Sequence, residues 1–116
     1  RVRGEQTGLA SWYGERFHGR PTASCEIFDQ HALTAAHRSL PLRSLALVTR
    51  LDTGESVLVR INDRGPFIEG RIIVLSRAAA EALGFVDDGL AEVKVEALGP
   101  ADARDRAARS RILTGD

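Results

Sequence analysis

Cysteine is almost absent: Cys25 stands alone in 116 residues, so the chain can close no internal disulfide and build no cysteine-cluster metal site. The lone thiol, beside Glu26, reads as a bystander, since a nucleophile would need a base at hand. Lysine is as scarce. Lys94 is the one lysine among sixteen basic residues, an arginine excess read as coding bias. Net charge is missing too: sixteen acidic residues cancel the sixteen basic ones, so no overall field draws the molecule to nucleic acid or anionic lipid. No apolar run approaches the roughly 20 residues of a membrane span. The three histidines, His18, His31 and His37, lack the i,i+4 spacing of a helical metal pair, and neither metal nor cofactor is expected. The opening RVRGEQTG carries no signal-peptide pattern and reads as an internal cut.

What is present suffices for one domain, because 43% hydrophobic content can fill a real core at this length. Short strands divided by turn signals make up most of it. Leu9 to Tyr13 is a small strand closed by Gly14, and Ala32 to Ala36 is a brief apolar stretch ending at His37. Leu45 to Arg50 alternates, and Val57, Val59 and Ile61 continue the apolar face beyond a hairpin turn at Asp52-Thr53-Gly54. Ile72 to Leu75 is a continuous apolar run, as in a strand buried on both faces, and Val93, Val95 and Ala97 alternate once more. Ser76 is placed to cap a helix, RAAAEAL, that Gly84 ends, with Ala79, Ala80 and Leu83 on one side. Gly14 to Gln30 is a long loop, and loops of that length inside compact domains are usually functional. From Ala101 the chain is charged with little apolar face, a frayed helix or the start of a linker. Together these elements predict a small closed β barrel.

One stretch asks for an explanation. In VRINDRGPF, Val59 to Phe67, an apolar strand ends in Asn62-Asp63-Arg64 and breaks at Gly65-Pro66. Asp63 is either a turn anion, held by local amides and paired with Arg64, or an acid presented for chemistry. Pairing would lower its pKa and spoil it as an acid.

Four segments, ASWYGERFHGRPTAS with EIFD, LTAAHRSLP, VLVRINDRGPF and RIIVLSRAAAEALG, occur in one order with compact spacing. They resemble the rare lipoprotein A family over roughly residues 8–98, leaving an N-terminal tail, 1–7, and a charged C-terminal tail or linker, 99–116. The resemblance implies a mainly β fold, a six-stranded double-psi β-barrel with one or two short helices. It also implies a monomeric bacterial envelope protein acting in the periplasm. Such a protein is expected to work on peptidoglycan glycan strands, preferring those stripped of peptides, in wall remodelling and daughter-cell separation. The implied reaction is that of a lytic transglycosylase, which closes a 1,6-anhydro ring on muramic acid as it cuts. The parent protein is expected to be lipid-anchored and to carry a separate peptidoglycan-binding domain. Nucleic acid is not expected as a partner.

The resemblance places Asp63 as the acid and base, for one carboxyl can serve both steps when the sugar's own 6-hydroxyl attacks. Ordinary glycosidases instead use two carboxyls at a set separation. Glu26 matches a family glutamate. Between Cys25 and Ile27 it is partly screened from water, which raises a carboxyl's pKa toward a useful range, or it is a solvated loop charge. His37 matches a family histidine that orients a carboxylate or binds a sugar hydroxyl, or is a satisfied structural histidine. Asp29 shares that pocket or simply turns the chain. Tyr13, Phe28, Asn62 and Arg64 complete the expected substrate contacts. Trp12 and Tyr13 must point to opposite faces, and Trp12 is assigned to the core.

Two positions depart from the family pattern. Cys25 stands where relatives carry glycine, whose backbone freedom cysteine lacks. Val74 stands where they carry aspartate, removing one carboxylate from the expected groove. The rival reading is therefore a non-cutting, expansin-like wall-binding module, since one barrel serves both uses.

Overall fold

The computed structural model describes residues 4–100; the charged stretch from Ala101 lies outside them. Six strands run in chain order: β1 Glu5–Tyr13, β2 Thr34–His37, β3 Ser44–Arg50, β4 Ser56–Asp63, β5 Arg71–Ser76 and β6 Leu90–Pro100. One α-helix, α1, spans Arg77–Leu83, and the long early loop contains a single 3-10 turn, Glu15–Phe17. The strands close a barrel in the order β1-β5-β2-β4-β3-β6, with β6 returning antiparallel to β1. Two pairs, β1 with β5 and β2 with β4, are parallel and the rest antiparallel. This is the predicted six-stranded double-psi barrel, and closure leaves no free sheet edge.

The inner face follows from alternation. Ala10, Ala35, Ala46, Val48, Val57, Val59, Ile61, Ile73, Leu75, Val93 and Val95 meet inside, where alanines fit a narrow interior. Helix α1 adds Ala79, Ala80 and Leu83, the three residues its spacing predicts. Its start is capped by Ser76, whose side chain accepts from Ala79 N–H, and it ends at Gly84 in the left-handed conformation at φ 75°. The β3–β4 hairpin turns through Gly54, also left-handed at φ 79°. In β5, Ile72, Ile73 and Leu75 are buried, but Val74 is only half-buried, so that strand is not covered throughout on both faces.

One irregularity positions the site. Arg60 lies opposite Thr34 and Ile61 opposite Ala35, yet Ala36 faces Asp63, leaving Asn62 as the extra residue of a β-bulge. Arg60 and Asp63 are an odd number of residues apart, which plain alternation would send to opposite faces. The bulge restores them to one face, with Asp63 outward.

Candidate active site

The register lays out two rows on the outer face. Arg60, Thr34, Ser76 and Tyr13 form one, Asp63, Ala36, Val74 and Ser11 the next. Residues 14–30 fold over these rows as an arm, closed on itself by Thr22 N–H to Glu26 O (2.8 Å) and Phe28 N–H to Arg20 O (2.8 Å). It is tied to the end of β4 by Ser24 N–H to Asn62 O (3.1 Å) and Ala23 N–H to Asp63 Oδ1 (3.0 Å).

Asp63 Oδ1 also accepts from Arg64 N–H at 2.9 Å. Both bonds fall on one oxygen; among the described residues Oδ2 accepts none. Of the two readings of this carboxylate, the turn amides are there but the Arg64 pair is not. The Arg64 guanidinium turns away and donates through one nitrogen to His37 O (3.0 Å) and Leu40 O (2.7 Å). Through that nitrogen it anchors the loop after β2.

Glu26 is held by Arg60, which donates to Oε2, and by Asn62, which donates to Oε1 at 3.3 Å. Arg43 stands 3.9 Å from Oε2 and donates to Ser24 O at 2.9 Å. Burial pushes the Glu26 pKa up, but the Arg60 hydrogen bond and charge, with Asn62 and Arg43, outweigh it and hold the carboxyl below its usual range. The expected upward shift is therefore reversed, and Glu26 is ionised at neutral pH.

His37 is buried and committed at both ring nitrogens. Nδ1 accepts from Ser39 N–H and Leu40 N–H, both at 3.1 Å, so the proton sits on Nε2 and is donated to Gln6 Oε1 at 3.0 Å. Burial, then the charges of Arg38 and Arg64, lower its pKa. It closes the turn after β2 and hydrogen-bonds to neither carboxylate. Asp29 is exposed and its Oδ1 accepts from His31 N–H at 2.9 Å, as in a chain turn.

Tyr13 and Trp12 divide as expected. Trp12 packs on the core and donates its indole N–H to Val86 O at 3.0 Å. Tyr13 lies outward, stacked on Phe28 (4.5 Å, 18°) with Phe17 edge-on at 5.3 Å. Phe28 is 1% exposed, so no sugar can reach its ring; it backs Tyr13 instead of lining the groove. Asn62 is buried as well, and serves Glu26 where a substrate contact was expected. Burial, then the nearby charge of Asp63, raises the Tyr13 pKa well above its ordinary value. Among the described residues the buried side-chain atoms without a hydrogen-bond partner are Tyr13 Oη, Thr34 Oγ1 and Asn62 Oδ1, all on this face.

Arg60 and Arg43 were not anticipated. A charge within VLVRIND was the available signal for Arg60, whereas nothing in the sequence marks Arg43, which sits in left-handed backbone at φ 71°. Cys25 takes the same region at φ 72°, the conformation the family's glycine would suit. No group of three or more His, Cys, Asp or Glu among the described residues is arranged to hold a metal. A cavity of about 880 Å³ opens between the start of β1, the turn after β2 and the end of β6, with His37 and Arg43 among the residues that line it.

A family model described as lytic transglycolase matches residues 5–95. The endolytic peptidoglycan transglycosylase RlpA of Neisseria meningitidis serogroup A is 55% identical over 108 residues, covering 93% of this chain and 45% of that protein. The protein of the same name from Pseudomonas aeruginosa strain UCBPP-PA14 is 56% identical over 93 residues, covering 80% of this chain and 27% of its own. The chain thus spans less than half the length of these relatives. Among solved structures, the Streptomyces papain inhibitor superposes with a TM-score of 0.68 at 20% identity, over 84% of this chain and 96% of its own. A mutant expansin of Clavibacter michiganensis in complex with cellohexaose reaches 0.65 at 22% identity, over 85% of this chain and 53% of its own. At those identities the structural likeness speaks for the fold alone.

Proposed function

Because the chain belongs to the rare lipoprotein A family, we propose that it binds the glycan strands of bacterial peptidoglycan and cuts them as a lytic transglycosylase. Asp63 has the proton-handling role. The observation carrying this reading is the asymmetry of that carboxylate: Oδ1 is pinned by two backbone amides while Oδ2 is unengaged. A proton can ride on Oδ2 without breaking either bond. Asp63 passes it to the glycosidic oxygen as the bond between N-acetylmuramic acid and N-acetylglucosamine breaks. The emptied carboxylate then takes the proton of the 6-hydroxyl, whose oxygen closes on the anomeric carbon to give the 1,6-anhydro ring. Proton and bonds balance, and no water is consumed.

Glu26, ionised and locked to Arg60, is no proton donor at neutral pH. It fixes the arm over the groove and holds Arg43 and Arg60 in place. On this reading the protein is a monomer that acts in the bacterial envelope, in the periplasm, on peptide-stripped strands during wall remodelling and cell separation. Its parent is lipid-anchored and carries a further wall-binding domain.

A second reading is favoured by Val74. It faces outward in the Asp63 row, separated from that carboxylate only by Ala36, and offers a methyl surface where the family resemblance implies an acid. A groove with one carboxylate fewer suits a module that grips glycan without cutting. Digestion of amidase-stripped peptidoglycan, read by mass spectrometry, separates the two. Release of 1,6-anhydromuramyl fragments that falls about 10³-fold in Asp63→Asn supports the enzyme. Retained binding to sacculi with no soluble product from either protein establishes the binder.

A further inference from the structure

Several large apolar side chains are left in water. Among the described residues they are Phe17, Ile27, Leu51, Phe67, Ile68 and Leu90, and four of the six lie on the arm or on the segment that leaves Asp63. Phe67 is the extreme case at 79% exposed, with Ile68 beside it at 54%. It does not trail into solvent. Gly65, at φ 123°, folds the chain so that the edge of the Phe67 ring lies 3.7 Å from where a Gly65 side chain would begin. The ring is thus set against backbone two residues past Asp63, on a segment whose start Arg64 ties to His37 O and Leu40 O. On the arm, Ile27 follows Glu26 directly, is 60% exposed, and is held by its bridge to Pro21.

We propose that Phe67 is a sugar-stacking platform beside Asp63 and that Ile27, next to Glu26, is a further apolar contact, both serving to hold an N-acetylated glycan strand. The inference rests on the glycan-strand reading above. The chemistry of the partner fits both elements. Pyranose rings present flat C–H faces that suit an aromatic ring, and acetyl methyls suit an aliphatic side chain. Phe67 lies four residues past Asp63 and Ile27 directly follows Glu26, so each apolar residue is carried by the segment that carries a carboxylate.

The test compares wild type, Phe67→Ala, Phe67→Trp and Ile27→Ser, with Asp63→Asn as the cutting control, on peptide-stripped glycan strands and on whole sacculi. Phe67 and Ile27 are exposed, so the variants should melt with wild type. Phe67→Ala is expected to raise KM about tenfold with kcat within about twofold, and Phe67→Trp to restore it. Ile27→Ser is expected to raise KM about threefold. Unchanged KM and unchanged sacculus binding in Phe67→Ala, with Asp63→Asn still inactive, would overturn the platform and leave the enzyme reading standing. If no protein cuts, sacculus binding decides. Its loss in Phe67→Ala supports the platform on a non-cutting module, and its retention overturns the platform. Wild type that neither cuts nor binds overturns both.

Discussion

The inside of this barrel and the patch of its outer face beneath the 14–30 arm are built to different standards. Inside, every position from Ala10 to Val95 in the core cluster is apolar and packed. On the patch lie the buried oxygens without partners, Tyr13 Oη, Thr34 Oγ1 and Asn62 Oδ1. The two non-glycine residues in left-handed backbone, Cys25 and Arg43, bracket it as well. Each such feature costs about 1–3 kcal/mol, and a chain selected for stability alone would not collect them in one place. The core holds the barrel together, while the patch spends part of that stability to keep polar groups poised.

The contrast can be broken from either side. Leu75→Ala, wholly inside, should lose about 2–5 kcal/mol in urea unfolding, and any cutting that survives should be unaltered at temperatures where the variant is folded. Glu26→Gln, in the patch, should lower the melting temperature at neutral pH by releasing Arg60 and the arm. The Glu26 pKa is depressed in the folded chain, so its stabilisation is complete above the unfolded carboxylate value and fades as pH falls through the folded one. The melting gap between wild type and Glu26→Gln should therefore be widest near pH 7 and close below the ordinary carboxylate range; a constant gap would remove the ion pair from the account.

Smaller changes sharpen the comparison. Tyr13→Phe removes an unpartnered buried hydroxyl while keeping the stack on Phe28, and should raise stability by about 1 kcal/mol while slowing cutting several-fold. A stability gain without loss of cutting would mean that this hydroxyl plays no part beside Asp63. Cys25→Gly should add only roughly 0.5 kcal/mol, because relief of left-handed backbone is partly offset by the greater freedom of glycine in the unfolded chain. A urea midpoint that falls instead would show that the cysteine side chain is held by contacts that outweigh its backbone.

What was legible in the sequence tracks the same divide. Strands β3, β4 and β6 and helix α1 follow from alternation and capping, because inside a closed barrel the period and the burial agree. The site obeys longer connections. The charge state of Glu26 depends on Arg60, 34 residues away, and no local pattern reports that distance. Phe28 looked available to a sugar because it lies in a polar loop, whereas Tyr13 from β1 stacks on its ring. The ring of His37 is held by Gln6, 31 residues earlier, a partner no local pattern announces. The bulge at Asn62 was invisible because it breaks the period by which strands are read.

That bulge makes the spacing of residues 60 to 63 a constraint of length and not only of identity. Replacing Asn62 would cost Glu26 one hydrogen bond. Deleting it would change the parity of the strand end, returning Asp63 to the barrel interior or forcing Arg60 there. An engineer moving this site to another barrel must therefore transplant a count of residues along with their names, and an insertion or deletion that the hairpin at Gly54 could absorb would here exchange inside for outside.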